Sequence, residues 1–381
     1  MTMPSIQSRI HDIMGFETAP KDTRVVVAMS GGVDSSVTAA LLHEAGYDVI
    51  GITLQLYDQG EMAKKKGACC AGQDIYDASQ VAEKFGFPHY VLDYESIFKQ
   101  SVVEDFADSY LRGETPLPCV RCNQNVKFKD LLKAARDLDA RALVTGHYVQ
   151  RIIGEKGAEL HAGDDIKKDQ SYFLFATTGE QVDYLRFPLG GLSKEETRHE
   201  AQRLGLDVAD KPDSQDICFV PNGKYADVVK KLRPGALDPG KIVHLDGREL
   251  GDHEGIISFT VGQRRGLHLG NLKAGEGPYY VVDIKPDTKE VIVGPYEALS
   301  KSEIFLEDVN WIHGKPKAEV SCEVKIRSTQ PAQPATLEAV DSCRARIVLA
   351  TPEYGISAGQ ACVFYQGSQV LGGGWIVKRE K

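Results

Sequence analysis

Val25-Val26-Val27-Ala28-Met29 is an unbroken apolar run rich in β-branched side chains, the pattern of a strand buried on both faces. Behind it the period changes: Val37, Ala40, Leu41 and Ala45 recur at helical spacing, and Gly46 stands where a helix C-terminus uses glycine. Residues 49–54 give the next apolar strand, so this stretch is one βαβ unit. The alternation continues. Tyr76, Val81, Ala82 and Phe85 mark a second helix stopped by Gly86 and Pro88, and residues 90–92 a third strand. Ile97, Val102, Phe106 and Tyr110 mark another helix, ending at Gly113. Residues 114–122 read as a proline-rich turn. Residues 125–138 read as a helix, apolar at Phe128, Leu131, Leu132 and Ala135 and basic at Lys127, Lys129, Lys133 and Arg136. A fourth strand at 142–144 runs into Thr145-Gly146-His147-Tyr148. Ahead of all this lies a polar lead-in with a short helix over 6–14. The pattern predicts an α/β fold: a doubly wound parallel sheet that takes its ligand at the carboxyl ends of its strands.

From about Asp213 the pattern changes to short β-like runs such as 256–261 and 279–284, broken by glycine and proline. Further on, strict alternation takes over: Val320, Cys322, Val324 and Ile326 face one way, Ser321, Glu323, Lys325 and Arg327 the other. Residues 345–350, 360–366 and 370–377 continue it, and a closed antiparallel β-barrel is expected. The expected organisation is therefore a catalytic domain at 1–222, a small linker domain at 223–296 and the barrel at 297–381. The 381 residues are too many for one ordinary core.

Charge and cysteine content narrow the setting. Residues 1–210 carry the whole net charge of −9, and the remainder is close to neutral, which permits an RNA partner through local basic patches. No apolar run reaches membrane length and no secretory leader is visible, so a reducing cytoplasm is expected. There, eight cysteines point to catalysis or metal binding rather than to disulfides. The excursion at 58–72, with Lys64-Lys65-Lys66 and Cys69-Cys70, reads as a solvated loop.

The first βα turn is Ser30-Gly31-Gly32-Val33-Asp34-Ser35-Ser36. Two glycines let the backbone approach an anion, free N–H groups at a helix start favour phosphate, and three hydroxyls add donors. The turn lacks the Gly-Lys-Ser/Thr ending of a Walker loop and the third glycine of a dinucleotide fold. Cys119-Val120-Arg121-Cys122 and Cys218 sit in polar, loop-like settings, where a thiolate is more accessible than in a core. Cys322 and Cys362 alternate with barrel positions and read as packing.

SGGVDSS resembles the pyrophosphate loop of the N-type ATP pyrophosphatases, the PP-loop family, whose members adenylate a carbonyl or carboxyl oxygen and release pyrophosphate. The segments PCVRCNQNVKF, TGHY, KKDQSYFL, SQDICFV and the closing barrel, in that order, resemble the branch that thiolates C2 of tRNA uridine. This resemblance implies ATP at Ala28, Met29, Ser30, Gly31, Gly32, Val33, Asp34, Ser35, Leu54 and Gly146, with Mg²⁺ on the phosphates and Asp34 holding the metal or ordering the loop. It implies Cys122 as catalytic nucleophile, Cys218 as persulfide carrier and a disulfide between them as an intermediate. It implies tRNA contacts at His147, Lys168, Asp169, Gln170, Arg327, Ser328 and Gln360, and a cysteine desulfurase or relay protein as sulfur donor. Leu117-Pro118-Cys119 departs from the Asn-Pro-Asp of many relatives. Cys119, Cys122 and Cys218 therefore also suit a 4Fe-4S cluster with one open iron, or zinc. Another PP-loop ligase such as a lysidine synthetase, or an RNA-binding module with a vestigial nucleotide site, are the competing readings.

Overall fold

Strand β1 (Arg24–Ala28) is the middle of a five-stranded, all-parallel sheet. Around it lie β2 (Asp48–Gln55), β3 (His89–Asp93), β4 (Ala142–Val144) and β7 (Leu185–Arg186), in the order β3-β2-β1-β4-β7. The computed structural model describes residues 6–57, 71–213, 216–220, 223–270, 272 and 275–379. The chain falls into two compact units, and this sheet belongs to the first: residues 1–101, 119–221 and 368–371.

Val25, Val26 and Val27 are fully buried because helices cover both faces of the sheet, which is why the run carries no polar alternation. Strand order reverses at β1: β2 lies on one side and β4 on the other, with Val25 beside both Val49 and Ala142. The carboxyl ends of β1 and β4 diverge there and leave a crevice, the place where open α/β sheets bind ligands. The helix after β1, Val33–Glu44, is buried along most of its length from Val33 to Leu42. It is thus a central helix of the unit rather than a half-exposed cover. Helices Ile6–Met14, Ala71–Phe85 and Lys194–Arg203 pack around it.

Three elements differ from the sequence expectation. Residues 118–122 are helical, not a turn, and continue as a π-helix over Asn123–Leu131 and an α-helix over Leu132–Asp137. A β-hairpin, β5 (Val149–Gly154) and β6 (Gly157–Ala162), follows Tyr148 where no strand was expected; its turn lacks an Asn-Gly or Asp-Gly signal. The run at 256–261 contains a 3₁₀ turn, Ile256–Ser258, in place of a strand. The helix at Ile6–Met14 and the strands at 89–93 and 142–144 follow the apolar pattern. Residues 58–70, with the lysine run and the paired cysteines, lie outside the described residues.

The second unit comprises residues 102–118, 222–367 and 372–381. Strands β8 (Gly240–His244), β9 (Glu249–His253), β10 (Tyr280–Lys285) and β11 (Glu290–Gly294) form a four-stranded sheet in the order β10-β11-β8-β9. Strands β12 (Ser300–Trp311), β13 (Val320–Lys325), β14 (Gln333–Ala339), β15 (Ala345–Tyr354), β16 (Ala361–Gln366) and β17 (Gln369–Val377) close into a barrel, because β12 pairs with both β15 and β17. Closure removes exposed edges. Cys322, Val324 and Ile326 point into its core, as does Cys362, whereas Cys343 is exposed.

One buried charge ties the first unit together. Arg186, in β7, donates from Nε to the Met14 carbonyl (2.8 Å) and from Nη1 to the carbonyls of Asp183 and Leu185 (both 2.8 Å). Its guanidinium lies over the Phe16 ring at 4.9 Å, and burial pushes its pKa down to about 10. Arg186→Leu strips three carbonyls of their donor and should cost about 3 kcal/mol. Urea unfolding of the full chain, read by circular dichroism, checks this; a midpoint equal to wild type would contradict it.

Candidate active site

The turn after β1 builds an anion cradle. Gly31 has φ +72, and a Cβ there would collide with the Asp74 backbone carbonyl, so only glycine fits. Gly32 occupies the N-cap of Val33–Glu44 and no side chain caps that helix. Its first amides are therefore left for an anion, with the helix dipole behind them. Ser35 braces the turn: its hydroxyl accepts from the Ser30 amide (3.1 Å) and donates to the Gly32 carbonyl (3.2 Å). The Ser36 hydroxyl is buried and unpartnered. Ala28 ends β1, and Met29 donates its amide to Ile52 of β2 (2.8 Å), two residues before Leu54. Gly146, after β4, presses on the same turn: a Cβ there would stand 2.8 Å from the Asp34 backbone carbon and 2.9 Å from the Ser35 nitrogen.

An ionic lattice holds the cradle. Lys194 Nζ donates to Asp34 Oδ1 (2.7 Å) and Oδ2 (2.9 Å), and the Tyr148 hydroxyl donates to Asp34 Oδ1 (2.9 Å). Of the two roles expected for Asp34, ordering the loop is the one these contacts support. Lys194 also pairs with Asp213 (2.8 Å), which receives Lys168 Nζ (2.6 Å) and Arg198 (3.0 Å). Desolvation pushes the Asp213 carboxyl up, but the hydrogen bonds from Lys168 and Lys194 win and hold it at about 2. Lys211 Nζ donates to the Gly31 carbonyl (2.9 Å) and to Asp74 and Asp77 (2.6 Å each). Sequence reading missed Lys194, Lys211 and Tyr148. The capping box Ser193-Glu196, which starts the helix at Lys194, was the available signal.

The sulfur side is assembled from two segments. Cys119 and Cys122 sit on the helical turn 118–122, and Cys218 sits in the turn at 216–220. Ring contacts Tyr57–Phe98 (5.9 Å) and Phe98–Phe219 (5.8 Å) seat that second turn. The thiols feel one another's charge: charge on Cys122 or Cys119 opposes ionisation of Cys218, and charge on Cys122 opposes that of Cys119. The expected exposure holds for Cys119 and Cys218 and fails for Cys122. Cys122 is buried; Cys119 and Cys218 open to solvent but lie among protein on most sides. Desolvation pushes all three thiols up, Cys218 to about 12, with Lys127 acting in the opposite sense on each and a Tyr57 hydrogen bond helping Cys218. His147, next to Gly146, meets Phe128 edge-on at 6.0 Å and its Nδ1 lies 2.8 Å from the Thr145 hydroxyl. Desolvation and the Lys127 charge bring it down to about 3, so it is a neutral imidazole. His147 adjoins the cradle through Gly146, and Lys127 acts on it as on the three thiols.

The other expected RNA positions divide between the units. In the first, Gln170 accepts from the Tyr148 amide (2.9 Å), and Asp169 accepts from the amides of Gly163 (3.2 Å) and Ser171 (3.0 Å). In the second, Arg327 donates to the carbonyls of Tyr354 (2.9 Å) and Gly355 (2.6 Å), Ser328 is half-buried beside it, and Gln360 donates to the Thr115 carbonyl (2.9 Å). Among the described residues, no three His, Cys, Asp or Glu side chains are grouped as a metal would require.

Residues 23–222 match the family described as the tRNA methyl transferase HUP domain, 226–295 its PRC-barrel domain, and 301–376 the aminomethyltransferase beta-barrel domain. The tRNA-specific 2-thiouridylase MnmA of Rhodospirillum centenum (strain ATCC 51521 / SW) is 64% identical over 371 residues, which are 96% of this chain and 95% of that protein. The chain belongs to the tRNA-specific 2-thiouridylase family. The Paracoccus denitrificans (strain Pd 1222) relative of the same name is 60% identical across 100% of this chain and 99% of its own length. A solved structure titled U34-tRNA thiolase NcsA from Methanococcus maripaludis with its [4Fe-4S] cluster is 17% identical, covers 60% of this chain and 73% of that one, and has a TM-score of 0.37.

The lattice has a pH signature. Asp213 has a folded pKa below the ordinary carboxylate value, so its stabilisation is complete above about pH 4 and is lost as pH falls towards 2. Asp213→Asn should be less stable than wild type at neutral pH and lose less on acidification through that window. Parallel acid-unfolding curves for the two proteins would refute the assignment.

Proposed function

We infer that this protein is an ATP-dependent tRNA-uridine 2-sulfurtransferase that makes 2-thiouridine at the wobble position. What supports this reading is an uncapped helix start suited to phosphate, next to a segment whose His147 feels the same Lys127 charge as Cys119, Cys122 and Cys218. The uridine C2 oxygen attacks the α-phosphate of ATP held at residues 28–35, Leu54 and Gly146; an oxygen–phosphorus bond forms and pyrophosphate leaves. Adenylation turns a poor leaving oxygen into a good one. The terminal sulfur of a Cys218 persulfide then bonds to C2, and AMP departs with the C2–oxygen pair. The Cys122 thiolate attacks the inner sulfur of Cys218 and leaves a Cys122–Cys218 disulfide, which an external dithiol reduces.

Mg²⁺ binds mainly through phosphates and water and so asks few ligands of the chain. The alternative route through iron held by Cys119, Cys122 and Cys218 has less support, because those thiols are not grouped for a metal. His147, as a neutral ring, suits a base edge rather than a phosphate. Lys168, Asp169 and Gln170 are proposed for the first unit's share of the tRNA, and Arg327, Ser328 and Gln360 for the barrel's. We place the domains at 1–222 for catalysis, 223–296 as linker and 297–381 as the RNA-binding barrel. A cysteine desulfurase or relay protein in the cytoplasm would load Cys218. No helix among the described residues is long and apolar enough to cross a membrane.

Cys122→Ser and Cys218→Ser proteins, incubated with tRNA, ATP and a sulfur donor, separate the two half-reactions. First-turnover pyrophosphate release should stay within about threefold of wild type while AMP release and sulfur incorporation fall at least about a hundredfold. Mass analysis of digested tRNA and chromatography of nucleotides and pyrophosphate read all three. Undiminished thiolation in either variant would overturn the scheme, and a wild-type protein that exchanges no oxygen for sulfur would overturn the function.

A further inference from the structure

The helical run from Pro118 to Asp137 changes its winding in the middle. Pro118–Cys122 is α, Asn123–Leu131 is π, and Leu132–Asp137 is α again. A nine-residue π stretch is long for a form seen mostly as single-turn bulges at functional sites. Cys122 is its N-cap, and Lys127 lies five residues on. Five is the hydrogen-bond spacing of a π turn, so residue 127 stands one turn along from residue 122 and nearer its face than in an α-helix. In an α-helix, at 3.6 residues per turn, residue 127 would be carried roughly 140° round the axis from Cys122.

The winding has a visible cost and a visible result. Val126, Phe128 and Leu131 remain buried, so the apolar face is kept. Lys127, half-buried between them, acts on Cys119, Cys122, Cys218 and His147 alike. The other groups around the thiols are the neutral His147, the Tyr57 hydroxyl and Asp216, whose charge opposes ionisation of Cys119. No carboxylate among the described residues forms an ion pair with Lys127.

We propose that Lys127 is a positioning residue for sulfur transfer: the π-helical turn aims its ammonium at Cys119, Cys122 and Cys218, where it is the counter-ion for the sulfur anion. This rests on the sulfurtransferase reading and adds the group that makes a desolvated thiol usable. When Cys122 loses its proton to buffer, the thiolate stays beside an ammonium instead of alone in a poorly hydrated pocket. The same charge serves a persulfide anion on Cys218. Neither step needs an oxidant or a metal.

The test is the pH profile of iodoacetamide alkylation at Cys122 and Cys218, followed by peptide mass spectrometry in the full-length protein. In Lys127→Met, alkylation just above neutral pH should slow at least about fivefold, with the limiting rate at strongly alkaline pH unchanged. Lys127→Arg should keep the wild-type profile, and Lys129→Met, an exposed cation on the same helix, should leave it alone. If Lys127→Met is insoluble, Lys127→Gln reads the same quantity. An unshifted profile in the neutral variants, or an equal shift in Lys129→Met, overturns the proposal. The assay uses no tRNA, ATP or sulfur donor, so its failure leaves thiolation standing, whereas absent thiolation by wild type would strike the function itself.

Discussion

The first turn of Val33–Glu44 offers amide donors that no side chain caps, and much of the first unit keeps that turn open yet rigid. An uncapped helix start in a nearly buried helix is an unfavourable arrangement unless something anionic completes it. Among the described residues no side chain supplies the anion. The nearest carboxylate, Asp34, is drawn off by Lys194 and Tyr148. Lys211 fixes the Gly31 carbonyl from the other side. The cradle is thus held from behind by ion pairs, and its donors face the crevice at the reversal of strand order.

That bracing also connects the cradle to the sulfur side. Asp213 receives Lys194 and Lys168, and it lies five residues before Cys218. Lys211, two residues earlier still, grips Gly31. The segment that carries the sulfur is therefore tethered to the phosphate turn by its own preceding residues. Buried ion pairs are weak sources of stability but strong determinants of geometry. Here they fix which loop faces which.

Legibility in the sequence follows the range of the interaction. Val25–Val27, the helical spacing of Val37 and Leu41, and the alternation of Cys322, Val324 and Ile326 are local patterns, and each element formed where its pattern lay. The glycines and hydroxyls of residues 30–36 carried the phosphate chemistry for the same reason. Lys194 and Lys211 act across 160 and 180 residues, and nothing near them in the sequence names their partners. The π-helix was hidden differently: buried Val126, Phe128 and Leu131 satisfy an α reading almost as well, so periodicity alone cannot separate the two windings. Of the three thiols, Cys119 and Cys218 are exposed as their polar neighbours suggest, but Cys122 is not, because polar neighbours in sequence say little about packing. Cys122 lies in Arg-Cys-Asn and is nonetheless buried.

The raised thiol pKa values fit the proposed chemistry rather than oppose it. A site that activates a uridine oxygen must keep water from the adenylated base, and excluding water desolvates whatever else lines the mouth. Free cysteines there rest as neutral thiols, with Cys218 held at about 12, and are poor nucleophiles until loaded. A persulfide ionises more readily than a thiol because its terminal S–H bond is weaker. The same desolvation that quiets an empty Cys218 therefore leaves a loaded one the more reactive species. Lys127 offsets part of the desolvation for either anion. Exclusion of water and the timing of sulfur attack are then consequences of a single property of the pocket.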